Sequence, residues 1–306
     1  MSAPQVDVVA APQRQPVRAG VVAQFVALSL IWGSTWLVIK DQIGDVPVEW
    51  SVSYRFLVAG GAMALLCVVL RKTLRLPRSG HALALLVAAT QFVANFNLVY
   101  RSELYLTSGL VALIFSLIVV PNTVLARVFL GQRIAPAFVA GSVLGIAGVA
   151  LLVGRDLDVK GADAGFGLAL ACIAVLCASA GNVLQATGRA RALPLEALLA
   201  WGLTYGGILS AALAWASAGP PQFDLRPSYA AGIVYLALIA STLAFRLYYS
   251  MIREIGPARS AFVNVVVPVV AMTLSTIFEG FVWTWTAGAG AVLTLIGLVI
   301  ALRSRS

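Results

Sequence analysis

Apolar residues are grouped in ten long stretches that are separated by short polar segments. Each stretch holds about 18 to 25 residues, enough for a helix to cross about 30 Å of hydrocarbon. The stretches are continuously apolar rather than alternating, which favours helices over a β-barrel. The pattern therefore predicts an all-α integral membrane protein. The predicted helices cover 21–39, 48–70, 82–100, 104–130, 135–153, 165–187, 194–217, 229–251, 257–278 and 285–302.

The second half of the chain repeats the first. Phe96 and Phe245 are 149 residues apart, and Pro121 and Pro268 are 147 apart. A pair of glycines also recurs 149 residues later. Those glycines are Gly141 and Gly148 in the first half and Gly290 and Gly297 in the second. Five helices cross a membrane an odd number of times, so the second copy enters from the opposite side. Two inverted five-helix repeats around a central cavity are thus predicted, as in many transporters that alternate access.

The repeat divides the chain into five predicted parts. The polar, proline-containing start is expected to be a tail, and the charged segment in the middle to connect the halves. The parts are a tail at 1–20, a first repeat at 21–154, a linker at 155–164, a second repeat at 165–302 and a second tail at 303–306.

Composition and charge agree with a membrane protein and give it an orientation. The chain is 60% hydrophobic and 11% charged, with a mean hydropathy of +0.94 and a net charge of +9. With the amino terminus inside, fourteen Lys and Arg fall in cytoplasmic segments and five in outer loops. The positive-inside rule then places both termini in the cytoplasm of a multi-pass inner-membrane protein. The basic residues are a topology signal, so no nucleic-acid partner is predicted.

Neither catalytic nor metal chemistry is predicted, and no cofactor. The cysteines lie inside apolar helices without a CxxC pair, and the single histidine, His81, stands at a helix entrance. All glutamates are expected at helix ends or in loops, which argues against an intramembrane enzyme. The same absence of a deep carboxylate predicts transport without obligatory proton coupling. The glutamates so assigned are Glu49, Glu103, Glu196, Glu254 and Glu279.

Neutral hydrogen-bonding groups occur within the predicted helices at one-face spacing. Gln91 and Asn95 are four apart, and Asn182 and Gln185 are three apart. Such amides either bind ligand or join helices to one another. Because several spans carry them beside aromatic rings, we predict a cavity for a small amphipathic solute. The candidate substrate-binding residues are Trp32, Gln91, Asn95, Asn122, Asn182, Gln185, Trp201, Tyr205 and Asn264.

One arginine and two prolines complete the candidate site. Arg55, inside the second predicted helix, contacts a substrate carboxylate, extends to the nearer interface or pairs with an acid in a loop. Pro121 and Pro268 each remove a backbone donor, which leaves the carbonyls of Leu117 and Asn264 without their helical partners. Their repetition favours hinges over static bends. The small-residue spacings predict close intramolecular packing in a monomer, with a dimer as the alternative.

A set of short motifs resembles a known family. In order, they are Trp32-Gly33-Ser34 with Lys40, Pro47 before Arg55-Phe56, Pro121 before Leu130-Gly131-Gln132, and Pro268 with Glu279. Over about 20–302 the chain is similar to the drug/metabolite transporter superfamily, in particular to ten-helix members with two EamA-type repeats. Gln132 departs from the glutamate common there. The resemblance implies a central cavity that opens alternately to either side.

The resemblance also suggests a cargo. Several relatives export amino acids, and the branch that exports aromatic and other neutral amino acids is the nearest expectation. The predicted protein is therefore a bacterial inner-membrane exporter of amino acids or similar small metabolites. Lipophilic drugs, or a nucleotide sugar or sugar phosphate, are the alternative cargoes, of which the phosphorylated ones are disfavoured by the shortage of deep cations.

Overall fold

A computed structural model describes residues 19–44, 46–131, 133–160, 162–255 and 263–303, and these residues form helices without any strand. Of the expected tails at 1–20 and 303–306, residues 1–18 and 304–306 lie outside the described residues, as does Gln132. The first half contains α1 (Ala19–Asp41), α2 (Val48–Val69), α3 (Arg78–Ser102), α4 (Ser108–Leu130) and α5 (Pro136–Lys160).

The second half is built in the same order. It contains α6 (Ala162–Ala186), α7 (Leu195–Ala218), α8 (Pro227–Val234, Tyr235–Leu243 and Ala244–Ile255), α9 (Val263–Phe278) and α10 (Trp285–Arg303). A single helical turn, Gly188–Arg191, precedes α7. The predicted linker at 155–164 is mostly helical, because α5 extends to Lys160 and α6 begins at Ala162.

Length and hydropathy identify seven of these helices as candidate membrane spans, namely α1 to α4 and α6 to α8. Shorter apolar segments, Pro136–Leu151, Val266–Phe278 and Trp285–Ala301, lie in α5, α9 and α10. The described residues therefore form an all-α bundle with seven helices long and apolar enough to cross a membrane, and the total of ten spans stays a prediction.

The two halves pack against each other through equivalent helices. The helix α2 packs on α7, and α5 packs on α10. The helix α1 contacts α8 and α9, while its counterpart α6 contacts α3 and α4. Each of these contacts therefore has a counterpart between the equivalent helices when the two halves are exchanged.

Repeated glycines allow the closest of these contacts. A Cβ on Gly141 would lie 2.5 Å from the carbonyl oxygen of Gly297, and one on Gly148 would lie 2.6 Å from that of Gly290. Both distances are too short for a side chain, so α5 and α10 meet backbone to backbone. The small residues therefore serve packing within the chain, as predicted from their spacing.

Equivalent π-helical segments interrupt α3 and α8. They cover Ala88–Ala94 and Tyr235–Leu243, and their last residues are 149 apart. π-Helical turns are rare and are frequent at functional sites. The sequence pattern did not predict them.

The two prolines differ in their local structure. Helix α4 is broken at Leu117 and Ile118, just before Pro121, and the carbonyl of Leu117 accepts a hydrogen bond from the N–H of Val120 at 2.8 Å. Pro268 lies within the continuous helix α9.

The bundle has two ends, which we name by position. The distal end carries the α1–α2 and α3–α4 loops (42–47 and 103–107), and the terminal end carries the α2–α3 and α6–α7 loops (70–77 and 187–194). At the distal end, Glu49 forms an ion pair with Arg101. At the terminal end, Trp201 donates to the carbonyl of Leu74 at 2.9 Å.

Candidate functional site

A cavity of about 100 Å³ lies at the centre of the bundle between the two halves. Its wall contains residues from α1, α2, α3, α4, α6, α8 and α9. The lining is buried toward the distal end, where Ile39 and Val99 are each 2% exposed. It is partly exposed toward the terminal end, at Asn182 and Asn264. The cavity is therefore closed distally and more open toward the terminal end.

Five of the nine predicted substrate-binding residues line this cavity, and so do Arg55 and Pro268. The five are Trp32, Gln91, Asn95, Asn182 and Asn264. The lining does not include Asn122, Gln185, Trp201, Tyr205 or Pro121.

The predicted aromatic pair Trp201 and Tyr205 lies at the terminal end instead. The Tyr205 hydroxyl hydrogen-bonds Nδ1 of His81 at 2.9 Å, and the Trp201 and His81 rings meet edge to face. Four-residue spacing correctly predicted that the two side chains share one face of α7, but that face packs against the start of α3 rather than the cavity. Asn122 and Gln185 each keep one buried amide atom without a hydrogen-bond partner.

Arg55 is the one cation among the described residues that line the cavity, and it is 1% exposed. Its Nε donates to the hydroxyl of Ser241 at 3.0 Å, and its guanidinium lies 4.5 Å from the ring centroid of Phe96. No described acid forms an ion pair with it, and its Nη1 has no hydrogen-bond partner. Arg55 therefore does not extend to an interface. A buried guanidinium without a counter-ion is costly, on the order of several kcal/mol, and an anionic ligand group would offset that cost.

Gln91 and Asn95 supply acceptors to the same wall. Gln91 lies in the π-helical segment of α3, and the Asn95 amide nitrogen donates to the Gln91 carbonyl at 3.1 Å. Oε1 of Gln91 and Oδ1 of Asn95 are both buried without a hydrogen-bond partner.

The α8 π-helical segment holds other cavity residues in place. The carbonyl of Ala240 accepts a hydrogen bond from the Trp32 indole at 3.3 Å, and Ser241 binds Arg55. The Trp32 ring packs edge to face on Phe245 and Tyr248, with centroid distances of 5.7 and 4.9 Å. Both repeated π-helical segments thus position the polar groups of the cavity.

Several cavity residues were missed by the sequence reasoning. They are Thr35, Phe96, Phe115, Ser116, Phe245 and Tyr248. The repeat did point to two of them. Phe96 and Phe245 are equivalent residues, 149 apart in the sequence, and both line the cavity. Trp36 carries a buried indole Nε1 without a hydrogen-bond partner, beside Phe115 at 5.3 Å.

The described glutamates lie at helix ends or in loops, as predicted, but two of them are buried by packing. Glu103 is 0% exposed and Glu49 is 4% exposed, although both stand at helix ends as predicted. The tertiary packing of the distal end buries them, which linear position along the helix does not reveal. Among the described residues, no group of His, Cys, Asp and Glu could hold a metal ion.

The EamA-like transporter family model matches residues 20–154 and again residues 165–303. The chain belongs to the EamA-like transporter family. It is thus a multi-pass membrane transporter of small molecules in the drug/metabolite transporter superfamily, and not an enzyme.

Named relatives agree with this assignment. Protein PagO of Salmonella typhimurium is 21% identical over 278 residues, covering 91% of this chain and 90% of its own length. The uncharacterized inner membrane transporter YedA of Escherichia coli strain K12 is 26% identical over 264 residues, covering 82% of this chain and 80% of its own length.

More distant similarity extends to a further relative and a solved structure. The uncharacterized transporter YoaV of Bacillus subtilis is 18% identical over 252 residues, covering 82% of this chain and 86% of its own length. A crystal structure of a protein that is 18% identical superposes with a TM-score of 0.70 and covers 93% of this chain and 98% of its own. That likeness supports the fold.

Proposed function

We propose that this transporter exports amino acids, preferentially aromatic and other neutral ones, across the bacterial inner membrane. The observation that carries the proposal is the set of unpartnered polar atoms in the cavity wall. Two are donors, the Arg55 Nη1 and the Trp36 Nε1, and two are acceptors, the Gln91 Oε1 and the Asn95 Oδ1. An α-amino acid presents the complementary groups, a carboxylate that accepts and an ammonium group that donates.

The charges favour a single carboxylate. Among the lining residues that the structure describes, Arg55 is the one cation, and charge-assisted hydrogen bonds to a guanidinium are the strong ones. A nucleotide sugar or a sugar phosphate carries more negative charge than one arginine can neutralise. A lipophilic drug without an anionic group would leave Arg55 uncompensated.

The remaining wall suits an apolar or aromatic side chain. Phe115, Phe245 and Tyr248 surround the two indoles, Trp32 and Trp36. Aromatic rings pack on one another edge to face with a gain of about 0.5–1.5 kcal/mol beyond the area that they bury. This wall supports a preference for phenylalanine-like substrates over small or charged ones.

Alternating access follows from an inverted repeat, which we propose relates 21–154 to 165–302. The helix contacts that persist when the halves are exchanged support the relation, as do the two π-helical segments. The break in α4 before Pro121 and the proline within α9 support hinges in equivalent helices. With both termini cytoplasmic, as the basic loops predict, the terminal end faces the cytoplasm and receives the substrate for export. The glycine contacts within the chain support a monomer.

The substrate proposal is tested by transport in liposomes that contain the purified protein. We expect exchange of labelled phenylalanine against internal phenylalanine, and little competition from phenethylamine, which lacks the carboxylate. Arg55→Met should lower phenylalanine exchange by about 100-fold, as expected when one partner of a buried charge pair is removed. Arg75→Met, at an exposed arginine of the α2–α3 loop, is the matched control and should exchange normally.

Two results would contradict the substrate proposal. One is indifference of the protein to a broad panel of amino acids while lipophilic cations or sugar phosphates exchange. The other is equal competition by phenylalanine and phenethylamine in the wild-type protein, since Arg55 would then have no role in recognition.

A further inference from the structure

The distal end contains a carboxylate that no described group pairs with. Glu103 is 0% exposed, and neither of its carboxylate oxygens has a hydrogen-bond partner. Lys40 is adjacent, but its ammonium group donates to the main-chain carbonyls of Glu103 and Leu106 rather than to the carboxylate. The Glu103 side chain is thus buried beside a cation without being bonded to it.

Each of the other polar and charged neighbours has at least one hydrogen-bond partner of its own. Glu279 accepts hydrogen bonds from the backbone N–H of Ser108 at 3.2 Å, from the Ser108 hydroxyl at 2.7 Å and from the Ser275 hydroxyl. Arg55 donates to the hydroxyl of Ser241. The Tyr100 hydroxyl donates to the side-chain oxygen of Gln42 at 3.0 Å.

Position makes this carboxylate sensitive to the opening of the bundle. One side of the site is the cavity, whose distal lining is formed by Ile39 and Val99. On the other side, Lys40 and Glu279 line an open cleft of about 600 Å³. Glu103 therefore lies in the wall that separates the cavity from the distal surface.

The closed distal end favours the protonated form of Glu103. Burial raises the pKa of the Glu103 carboxyl well above its usual range, and the charge of Glu279 raises it further. Lys40 and Arg55 act in the opposite direction, and burial outweighs them. Opening would hydrate the carboxylate and stabilise its ionised form.

We propose that Glu103 is a proton-binding site of the distal gate, which holds a proton while the gate is closed and releases it to the distal side on opening. In that step the carboxyl O–H bond breaks, the proton passes to water, and the carboxylate is stabilised by hydration and by Lys40. The inference rests on the alternating access of the proposed function. It replaces the expectation that no carboxylate links protons to transport.

The test uses a thiol reporter in the cavity. In a chain whose three cysteines (Cys67, Cys172 and Cys177) are replaced by alanine, Val99→Cys is labelled by a membrane-impermeant maleimide added to the distal side. Each rate is divided by that of the denatured protein at the same pH, because the thiolate fraction rises with pH. We expect labelling to be several-fold faster at pH 8.5 than at pH 5.5.

Glu103→Gln should remove that dependence and give slow labelling at both pH values, because the neutral amide stays buried at any pH. Glu196→Gln, which changes a carboxylate at the terminal end beside Arg246, is the matched control and should keep the wild-type profile. A flat profile in the reporter chain itself, or an unchanged profile in Glu103→Gln, would overturn the proposal. Labelling requires no substrate, so a failure of the amino acid proposal is a separate result.

Thermal unfolding gives a second readout that does not depend on labelling. A carboxyl whose folded-state pKa is raised contributes stability that is fully present below its unfolded pKa and is lost as the pH rises through the folded pKa. The wild-type protein should therefore lose stability toward alkaline pH relative to Glu103→Gln. The same slope in both proteins would show that Glu103 does not titrate in this way.

Discussion

The two halves of the chain share a backbone but differ in their chemistry. Both contain a π-helical segment at the same place in the third helix of the repeat, and both present glycines to the other half. Yet Gln91 and Asn95 of the first half correspond, at the repeat offset of 149 residues, to Ala240 and Ala244 of the second.

The charged groups are divided just as unevenly. At the offset of 147 that relates Gly60 to Gly207, Arg55 corresponds to Gly202, and at 149 Glu103 corresponds to Ile252. The first half therefore supplies the cation of the cavity, two of its acceptors and the buried acid. From the second half, Ala240 and Ser241 bond to Trp32 and Arg55 and hold them in place. Under the proposed function, the repeated scaffold would support alternating access, whereas substrate recognition would depend on residues that differ between the two halves.

The largest effect is expected where the symmetry is kept. A Cβ on Gly60 would lie 2.8 Å from the backbone nitrogen of Thr204, and one on Gly207 would lie 2.7 Å from that of Leu57. These are equivalent contacts between α2 and α7, so Gly60→Leu and Gly207→Leu should each destabilise the fold by about 3 kcal/mol or more. Folded yield and thermal unfolding in detergent measure the loss.

Gly61→Leu is the control for this pair, since a Cβ there meets nothing within 4 Å. It should unfold like the wild type. A large loss at Gly60 with none at Gly207 would mean that the two halves do not pack as equivalents.

An intermediate effect is expected where the symmetry is broken. Asn95→Ala removes an acceptor for the substrate ammonium group, and hydrogen bonds to charged groups contribute about 1.5–3 kcal/mol. The KM for phenylalanine should therefore rise by about 10- to 100-fold while the melting temperature changes little. Asn97→Ala is the comparison, because Asn97 lies on the same helix, binds Ser210 at 3.3 Å and does not line the cavity. An equal rise in KM for both variants would remove Asn95 from the binding site.

The helical bundle, the repeat and part of the cavity were predictable from sequence for physical reasons. Hydropathy reports burial in lipid directly, and amides are scarce in apolar helices, so Gln91, Asn95 and Asn182 were conspicuous. The π-helical segments were not predictable, because their local composition is the same as that of an α-helix. Glu103 lies at a helix end by sequence, and only packing by other helices buries it. Trp201 and Tyr205 have the same spacing as a cavity face, yet their face packs against the start of α3 and the α2–α3 loop.

The smallest effect is expected at those two residues. Trp201→Phe removes the indole bond to Leu74 but keeps an aromatic ring, at a cost to stability of about 1 kcal/mol. Because Trp201 lies outside the cavity, phenylalanine exchange should stay within about 2-fold of wild type. Trp32→Phe is the matched variant in the cavity, since it removes the bond to Ala240 and should impair exchange more strongly. If Trp201→Phe impaired exchange as much as Trp32→Phe, the substrate route would include the terminal end of α7.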